Sequence, residues 1–426
     1  MNAPLPVRDV GGLGQVFTPP AVVKAMLALR RRKGRALEPS AGDGAFSRAI
    51  KGCVAIECDP RQAPPGALIG DFFAYPEDEK FATIIGNPPY VRYQDIAPAT
   101  RALIEATPGV LDKRANLYLY FIEKCLRHLA PGGELIFITP RDFLKTTSAV
   151  RLNRLLYASG TMTDAIELGD APVFADAVPN CLIWRFERDD FSRRTRFAAL
   201  AKISGQRHLA PALAALRTES RRFSEVAGHL IFAHGDYALS LADVAFVKVG
   251  AVSGADTIYA NSRRANRDFV CSSTERTGET RRMLWCAPGE GAAGKPPPAG
   301  LKRHRASLIG RRIRRFDDSN WWEWGRGYHL SRQARVYVNG RTRNLQPFFV
   351  HPCIHYDGSV LAIFPRDPAI DIDDFCAALN AVDWHELGFV CDGRFLFSQR
   401  SLENAPLPDS FRRFLPGDGE PRQTGE

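Results

Sequence analysis

Residues 81–90 read FATIIGNPPY, an apolar run that ends in a planar amide, two prolines and an aromatic ring. The run predicts a buried strand. The prolines remove two backbone donors and fix φ at about −65°, so the carbonyls of Asn87 and Pro88 can point into a cleft. The Asn87 side chain and a neighbouring carbonyl can accept both hydrogens of one amino group, while Tyr90 covers the ring that carries it. Because Asn-Pro also opens ordinary turns, the tetrapeptide alone leaves a turn and an amino-group clamp equally open.

Three shorter apolar runs precede this segment, and polar residues follow each of them. After the first, residues 38–46 read EPSAGDGAF, whose glycines allow a ligand to approach the backbone at the start of a helix. The three-glycine dinucleotide fingerprint is absent, and Glu38 would repel a pyrophosphate. The second run ends at Glu57, at the spacing of a ribose-hydroxyl acceptor, and the third leads into Asp71 and Phe72, which suit an adenine. Together they predict a nucleoside pocket at the carboxyl edge of a parallel sheet.

In this order the motifs resemble those of the class I S-adenosylmethionine-dependent amino-methyltransferases, and within them the TaqI-like, or gamma-class, DNA adenine-N6 methyltransferases. Residues 15–20 (QVFTPP), 115–118 (ANLY) and 131–140 (PGGELIFITP) continue the pattern, with Ser40-Ala41 replacing the commoner Ala-Cys. The resemblance implies an α/β class I methyltransferase fold, Rossmann-like, with a mostly parallel seven-stranded sheet. A mixed α/β target-recognition domain is expected to follow it.

The resemblance also implies roles for individual residues. Asn87, Pro88 and Tyr90 are the implied catalytic residues, and Tyr90 and Phe174 would stack on opposite faces of the target base. The implied cofactor is S-adenosyl-L-methionine. The residues implied to bind it are Thr18, Glu38, Ser40, Gly42, Gly44, Phe46, Glu57, Asp71, Phe72 and Asn87. No metal is expected, since the nine cysteines include no Cys-x-x-Cys pair and the nine histidines show no ligand spacing.

The net charge of +10 comes mostly from arginine and suits a phosphate-backbone partner. Basic residues cluster between positions 302 and 343, in a stretch that also contains Trp321, Trp322, Trp324 and Tyr328. Guanidinium groups bind phosphates and aromatic rings pack on bases, so the cluster indicates a surface for double-stranded DNA. A solvated surface helix with tryptophans in the core would give the same pattern. The residues predicted to bind DNA are Arg303, Arg305, Arg311, Arg312, Arg314, Arg315, Trp321 and Trp322.

The alternation of short strands and helices places a catalytic domain at residues 15–190. The irregular, basic remainder predicts a DNA target-recognition domain at residues 200–416 and a disordered tail at 417–426. Within the second region, residues 247–256 (VKVGAVSGAD) resemble a signature of such domains. No run approaches ~18 apolar residues and no secretory pattern opens the chain, so we expect a cytoplasmic protein with no membrane association. We also expect it to act as a monomer.

The implied activity is site-specific methyl transfer to N6 of a flipped-out adenine in duplex DNA, as the modification part of a restriction-modification system with a separately encoded endonuclease. Asparagine at position 87, where cytosine-N4 enzymes usually carry serine, favours adenine. Methyltransferases acting on RNA adenine-N6 or protein glutamine-N5 share the NPPY core and stay open as alternatives. The RNA enzymes would predict a smaller C-terminal region, and the glutamine enzymes a helical domain before the glycine loop. A DNA-binding subunit without activity is disfavoured by the intact Glu57, Asp71 and Asn87.

Overall fold

The computed structural model describes residues 17–112, 114–169, 171, 173–174, 180–200, 203, 205–260, 263–391 and 393–416. The chain forms two compact units. The first comprises Met1–Asp236 and Glu386–Asp392, and the second comprises Tyr237–His385 and Gly393–Glu426. Within the described residues, no helix is both long and apolar enough to cross a membrane.

One large sheet organises the first unit. Its strand order is β10-β9-β8-β6-β7-β5-β4-β1-β2-β3. The strands are β1 (Ala36–Glu38), β2 (Val54–Glu57), β3 (Leu68–Ile69), β4 (Phe81–Gly86), β5 (Leu129–Pro140), β6 (Gly160–Glu167), β7 (Cys181–Arg188), β8 (Arg194–Ala199), β9 (Glu219–Val226) and β10 (His229–Ala233). Strands β3, β2, β1, β4 and β5 pair in parallel, whereas β7 runs antiparallel to both β5 and β6. The seven strands from β3 to β6 confirm the expected mostly parallel seven-stranded sheet.

The helices of the first unit cover both faces of this sheet. They are α1 (Pro20–Leu29), α2 (Pro98–Ala106), α3 (Leu117–His128), α4 (Val150–Ser159) and α5 (Leu209–Ala214). Neighbouring residues of β4 point to opposite faces, as alternation along a strand requires. Ile84 lies in the cluster that contains residues of α3 and α4, and Ile85 lies in the cluster that contains residues of α1. The burial of both faces explains why β4 is a continuous apolar run.

The boundary between the units differs from the expected one. Strands β8, β9 and β10 extend the same sheet, so the first unit continues to Asp236 instead of ending near residue 190. The extension buries Phe197, Phe223 and Phe232, whose rings contact one another at centroid distances of 5.9 and 5.8 Å. Arginines hid these strands from the sequence pattern. On β8, the exposed Arg194 and Arg196 alternate with the buried Thr195 and Phe197, and on β9 two consecutive arginines precede the buried Phe223.

The second unit is built from short elements. Its elements are β11 (Tyr237–Ser240), α6 (Leu241–Val244), β12 (Ala245–Val249), α7 (Asp256–Ala260), β13 (Arg267–Phe269), α8 (Thr274–Thr277), β14 (Arg281–Met283), α9 (Arg305–Ile309), β15 (Val336–Asn339), β16 (Arg341–Thr342), β17 (Phe348–Val350), β18 (Val360–Pro365), α10 (Ile372–Asn380), β20 (Arg394–Leu396), α11 (Gln399–Glu403) and β21 (Pro406–Pro408). Strand β19 (Val390–Cys391) falls within this stretch of the chain but belongs to the first unit. Strands β12-β18-β15-β17 form an antiparallel sheet, and β13 pairs with β14. The mixed α/β character is as expected.

The motif at residues 247–256 is a close backbone crossing in the second unit. A Cβ atom at Gly250 would lie 2.0 Å from the carbonyl oxygen of Asp357. Only glycine fits there, so the motif is explained by packing.

A short segment, Glu386–Asp392, returns to the first unit and contains β19. The Lys145 ammonium donates a hydrogen bond to the Gly388 carbonyl and lies 5.0 Å from the centre of the Phe389 ring. The backbone N–H of His234 donates to the Glu386 carboxylate at 2.9 Å. These contacts make the segment part of the first unit, although about 150 residues separate it from Asp236 along the chain.

Candidate active site

A pocket of about 880 Å³ lies at the carboxyl ends of β1, β2, β3 and β4. Six of the predicted cofactor-binding residues line it, namely Ser40, Gly42, Glu57, Asp71, Phe72 and Asn87. Side chains that the sequence interpretation missed complete the wall, among them Cys58, Gln62, Ile96, Thr100, Leu117 and Phe121. The parallel strands therefore bring residues from distant parts of the chain to one edge, as predicted for a nucleoside pocket.

Glu57 is held in place by the backbone around it. One carboxylate oxygen accepts from the Gly42 N–H at 2.7 Å, and the other accepts from the Asp59 N–H at 2.9 Å. Gly42 has φ of +51°, a left-handed conformation that glycine adopts without strain. The glycine loop and the end of β2 thus form one hydrogen-bonded rim of the pocket.

Glu38 supports the glycine loop from behind. Its carboxylate accepts from the backbone N–H groups of Phe46 at 3.3 Å and Ser47 at 2.7 Å, and only 1% of the residue is exposed. Phe46 is buried in the core, and Gly44 packs against Pro64. Glu38, Gly44 and Phe46 do not line the pocket, which corrects the expectation of direct cofactor contacts. They shape the loop that Ser40 and Gly42 present.

Glu38 also predicts a pH dependence of stability. Burial raises the pKa of its carboxyl from the ordinary 4.5 to about 7. The folded protein therefore holds this proton more tightly than the unfolded chain, and the associated stability is lost as the pH rises from 4.5 through 7. Glu38→Gln, which cannot ionise, should flatten that part of the pH profile of the melting temperature. A profile unchanged by the substitution would contradict the assignment.

Asp71 and Phe72 follow β3 as predicted. The Asp71 carboxylate accepts from the Phe73 N–H at 2.8 Å and from the Thr100 hydroxyl, which fixes its orientation. The Phe72 ring is stacked on Phe121 at a centroid distance of 5.2 Å and is only 2% exposed. Thr100 lies on α2, and the sequence around Asp71 does not predict that this helix supplies a hydrogen-bond donor to it. An acidic group and a ring are thus held rigidly side by side.

Asn87 lies at the end of β4 with its amide oriented by two side chains. The Nδ2 atom donates to the Thr18 hydroxyl at 3.2 Å, and Oδ1 accepts from the Tyr90 hydroxyl at 2.8 Å. The Ser40 hydroxyl donates to the Asn87 carbonyl at 3.2 Å. Thr18 does not line the pocket, but its hydroxyl contacts Asn87, which does. The glycine loop, the N-terminal motif and the NPPY segment therefore converge on one residue.

Tyr90 and Phe174 lie in different environments. The Tyr90 hydroxyl is 3.0 Å from the Ile138 carbonyl as well as 2.8 Å from Asn87, and burial raises the pKa of this hydroxyl well above its ordinary value. Its ring packs perpendicular to Tyr118 at 5.8 Å. Phe174 is 6% exposed and belongs to the core cluster that contains Val22. The structure brings Tyr90 to Asn87 and leaves Phe174 in the core, so base stacking by either ring stays a prediction.

The residues predicted to bind DNA divide into two groups. Trp321 and Trp322 are each 4% exposed and belong to a core cluster, which corrects their assignment to a surface. The Arg311 guanidinium donates to the carbonyls of Trp321 and Glu323, and Arg314 forms an ion pair with the buried Glu323 carboxylate. The guanidinium groups of Arg311 and Arg314 therefore form hydrogen bonds and an ion pair with the loop around Glu323, within the second unit. The exposed members are Arg303, Arg305, Arg312 and Arg315.

The family model that matches this chain is the Eco57I restriction-modification methylase, over residues 62–174. Residues 62–174 are therefore similar to an Eco57I-type methylase domain. It is 32% identical over 203 residues to the Type II methyltransferase M.TthHB8I of Thermus thermophilus, covering 43% of this chain and 47% of that relative. It is 28% identical over 190 residues to the Type II methyltransferase M.HincII of Haemophilus influenzae, covering 41% of this chain and 37% of the relative. The matches thus span less than half of either relative.

Among solved structures, the fold is similar to that of the Type IIL restriction-modification enzyme MmeI in complex with DNA, with a TM-score of 0.56 and 13% identity. This similarity covers 90% of the present chain and 64% of MmeI. The matched residues of the Eco57I-type methylase domain include Asp71, Asn87 and Tyr90. The predicted resemblance to restriction-modification DNA methyltransferases is confirmed.

Proposed function

We propose that this chain transfers a methyl group from S-adenosyl-L-methionine to N6 of a flipped-out adenine in duplex DNA, as the modification enzyme of a restriction-modification system of the TaqI-like class. The observation that carries the proposal is the Asn87 amide, which lines the nucleoside pocket and is oriented by Thr18 and Tyr90. The names of the relatives as Type II methyltransferases and the DNA complex of MmeI support it. A monomer acting in the cytoplasm, beside a separately encoded endonuclease, fits this role.

The residues of the pocket fit the cofactor. The described lining residues include the carboxylates of Glu57 and Asp71 and no lysine or arginine. Two acidic groups suit ribose hydroxyls, an adenine amino group and a cationic ligand, and they disfavour a phosphorylated one. Glu57 would hold the ribose, and Asp71 and Phe72 would hold the adenine. When bound there, S-adenosylmethionine supplies an electrophilic methyl group on a positively charged sulfonium.

Asn87 would act on the target amino group. The lone pair of adenine N6 is delocalised into the ring, so the nitrogen is a poor nucleophile. Hydrogen bonds from the amino group to Asn87 Oδ1 and the Pro88 carbonyl would localise that lone pair and aim it. Because the hydroxyl of Tyr90 already donates to Oδ1, the oxygen is held as an acceptor before a substrate arrives.

Asp71→Ala should weaken binding of S-adenosylmethionine by about 10- to 100-fold, since a hydrogen bond to a charged group contributes about 1.5–3 kcal/mol. Isothermal titration of the purified full chain with the cofactor measures this directly. Asp95→Ala is the matched control, because Asp95 is exposed and does not line the pocket. Equal affinities for the two variants would remove Asp71 from the cofactor site.

The proposed activity is tested with radiolabelled S-adenosylmethionine and three substrates side by side: unmodified duplex DNA, RNA and a release factor. Label is expected in the DNA, and hydrolysis to nucleosides should give N6-methyladenine. Label in RNA or in a protein glutamine, with none in DNA, would overturn the proposal. Long-read sequencing of DNA from a host that expresses the chain then reveals the modified sequence.

A further inference from the structure

Trp285 differs from every other tryptophan of the chain. All six tryptophans lie among the described residues, and five of them are at most 4% exposed, namely Trp184, Trp321, Trp322, Trp324 and Trp384. Trp285 is only partly buried. Leaving part of a large aromatic side chain in water forgoes hydrophobic stabilisation, and tryptophan is enriched at contact surfaces.

The exposed ring is held rigidly. Its centroid lies 4.9 Å from that of Trp324 and 5.5 Å from that of Tyr328, both in edge-to-face geometry, and 5.7 Å from that of Phe269. Asn266 fixes the backbone of Trp285: its Oδ1 accepts from the Trp285 N–H at 2.8 Å, and its Nδ2 donates to the Trp285 carbonyl at 3.3 Å. A ring supported in this way loses little conformational entropy when a flat partner packs on it.

A guanidinium group lies next to the ring, and further arginines are close in sequence. The Arg267 guanidinium lies 5.5 Å from the centre of the Trp285 ring and donates to the Tyr328 hydroxyl at 3.3 Å. Arg264, before β13, and Arg282, on β14, are exposed; Arg282 contacts the Asp268 carboxylate at 3.4 Å and donates to the Ala265 carbonyl at 3.3 Å. A rigid aromatic face flanked by guanidinium groups matches a nucleotide, which offers a flat base or sugar next to an anionic phosphate.

We propose that Trp285 and Arg267 form a nucleotide-contacting platform in the second unit. The Trp285 ring would pack on a base or deoxyribose of the substrate DNA, and Arg267 would contact the adjacent phosphate. The identity of the partner as DNA rests on the proposed function. The platform takes the role that the sequence interpretation gave to Trp321 and Trp322, at a position on the surface instead of in the core.

The first test uses intrinsic fluorescence. Because Trp285 is the one partly exposed tryptophan, iodide should quench mainly its emission, and Trp285→Phe should remove that quenchable component. Adding duplex DNA at constant ionic strength should protect the wild-type protein from iodide. Unchanged quenching at DNA concentrations that saturate binding would overturn the proposal, as would protection by an acidic polypeptide but not by DNA.

The second test separates DNA contact from catalysis. Trp285→Ala should raise the KM and Kd for duplex DNA by about ten-fold or more, with kcat at saturating DNA nearly unchanged. Arg267→Gln should reduce the slope of log Kd against log salt by about 1. Trp285→Phe keeps a ring and should retain most of the affinity, which guards against misfolding of the alanine variant. Arg400→Ala, an exposed arginine on α11, is the matched control.

The two proposals fail in different ways. If the wild-type protein methylates DNA but Trp285→Ala and Arg267→Gln bind DNA like the control, the platform is wrong and the proposed function stands. If no DNA is methylated under any condition, the proposed function fails, whereas protection of Trp285 by DNA still decides the platform.

Discussion

Asn87→Ala is expected to lower the single-turnover rate of methyl transfer to duplex DNA by about 10²- to 10³-fold, the usual cost of removing one preorganised polar group from a reacting centre. The substitution removes the oxygen that would accept from the target amino group. It leaves the carboxylates of Glu57 and Asp71 in place, since their hydrogen bonds come from other residues. The affinity for S-adenosylmethionine should therefore change little, as isothermal titration would show.

Thr18→Val sharpens this test. Valine keeps the shape of the side chain but removes the oxygen that accepts from Asn87 Nδ2. The amide is then oriented by Tyr90 with less support, so the rate should fall by a smaller factor than in Asn87→Ala. If Asn87→Ala loses cofactor binding and transfer together, Asn87 serves the structure of the pocket and not the chemistry.

Glu134→Leu and Arg185→Leu should each lower the free energy of unfolding of the first unit by about 3–5 kcal/mol, since each removes one partner of a buried ion pair. The Arg185 guanidinium keeps a second partner, the Glu187 carboxylate at 2.7 Å, so the loss in Glu134→Leu should be the smaller of the two. Arg185 Nε lies 2.6 Å from the Glu134 carboxylate, and neither side chain is exposed. Glu134 also accepts from the Thr83 hydroxyl at 2.9 Å and from the backbone N–H of Arg32 at 2.9 Å. The pair therefore joins β4, β5 and β7 to the end of α1.

Urea unfolding followed by circular dichroism measures these losses. The double variant Glu134→Leu/Arg185→Leu should lose less than the sum of the single variants, because the two charges compensate each other. Arg48→Ala is the control: Arg48 and Asp43 form an ion pair at 2.9 Å with side chains 60% and 50% exposed, so its loss should cost at most ~1 kcal/mol. Strict additivity would show that the buried pair is not coupled.

The sequence predicted those parts of the site that local pattern determines. A polar residue that follows a strand lies at the edge of a parallel sheet, and Glu57, Asp71 and Asn87 line one pocket there. The role of Thr100 depends on how α2 packs, which no nearby pattern specifies. Burial separated Trp321 and Trp322 from Trp285, because only the tertiary structure decides which ring faces the core.

The interactions that support the pocket could not be predicted from the sequence motifs either. The family resemblance implied that Glu38 contacts the cofactor, but its carboxylate accepts hydrogen bonds from the backbone N–H groups of Phe46 and Ser47. The extension of the sheet to β10 depends on pairings between residues such as Asp164 and Arg196, whose partners the alternation of hydrophobic residues does not identify. Long-range pairing thus accounts for most of what the sequence left out.

The returning segment Glu386–Asp392 limits how this chain can be re-engineered. Exchanging the whole stretch after Asp236 for that of another methyltransferase would discard the Gly388 carbonyl and the Phe389 ring that Lys145 contacts, and the Glu386 carboxylate that His234 contacts. The first unit would then lose these contacts, although the exchange was meant to change only the second unit. A chimera needs three junctions, one after Asp236 and one on each side of this segment, so that the native heptapeptide is retained.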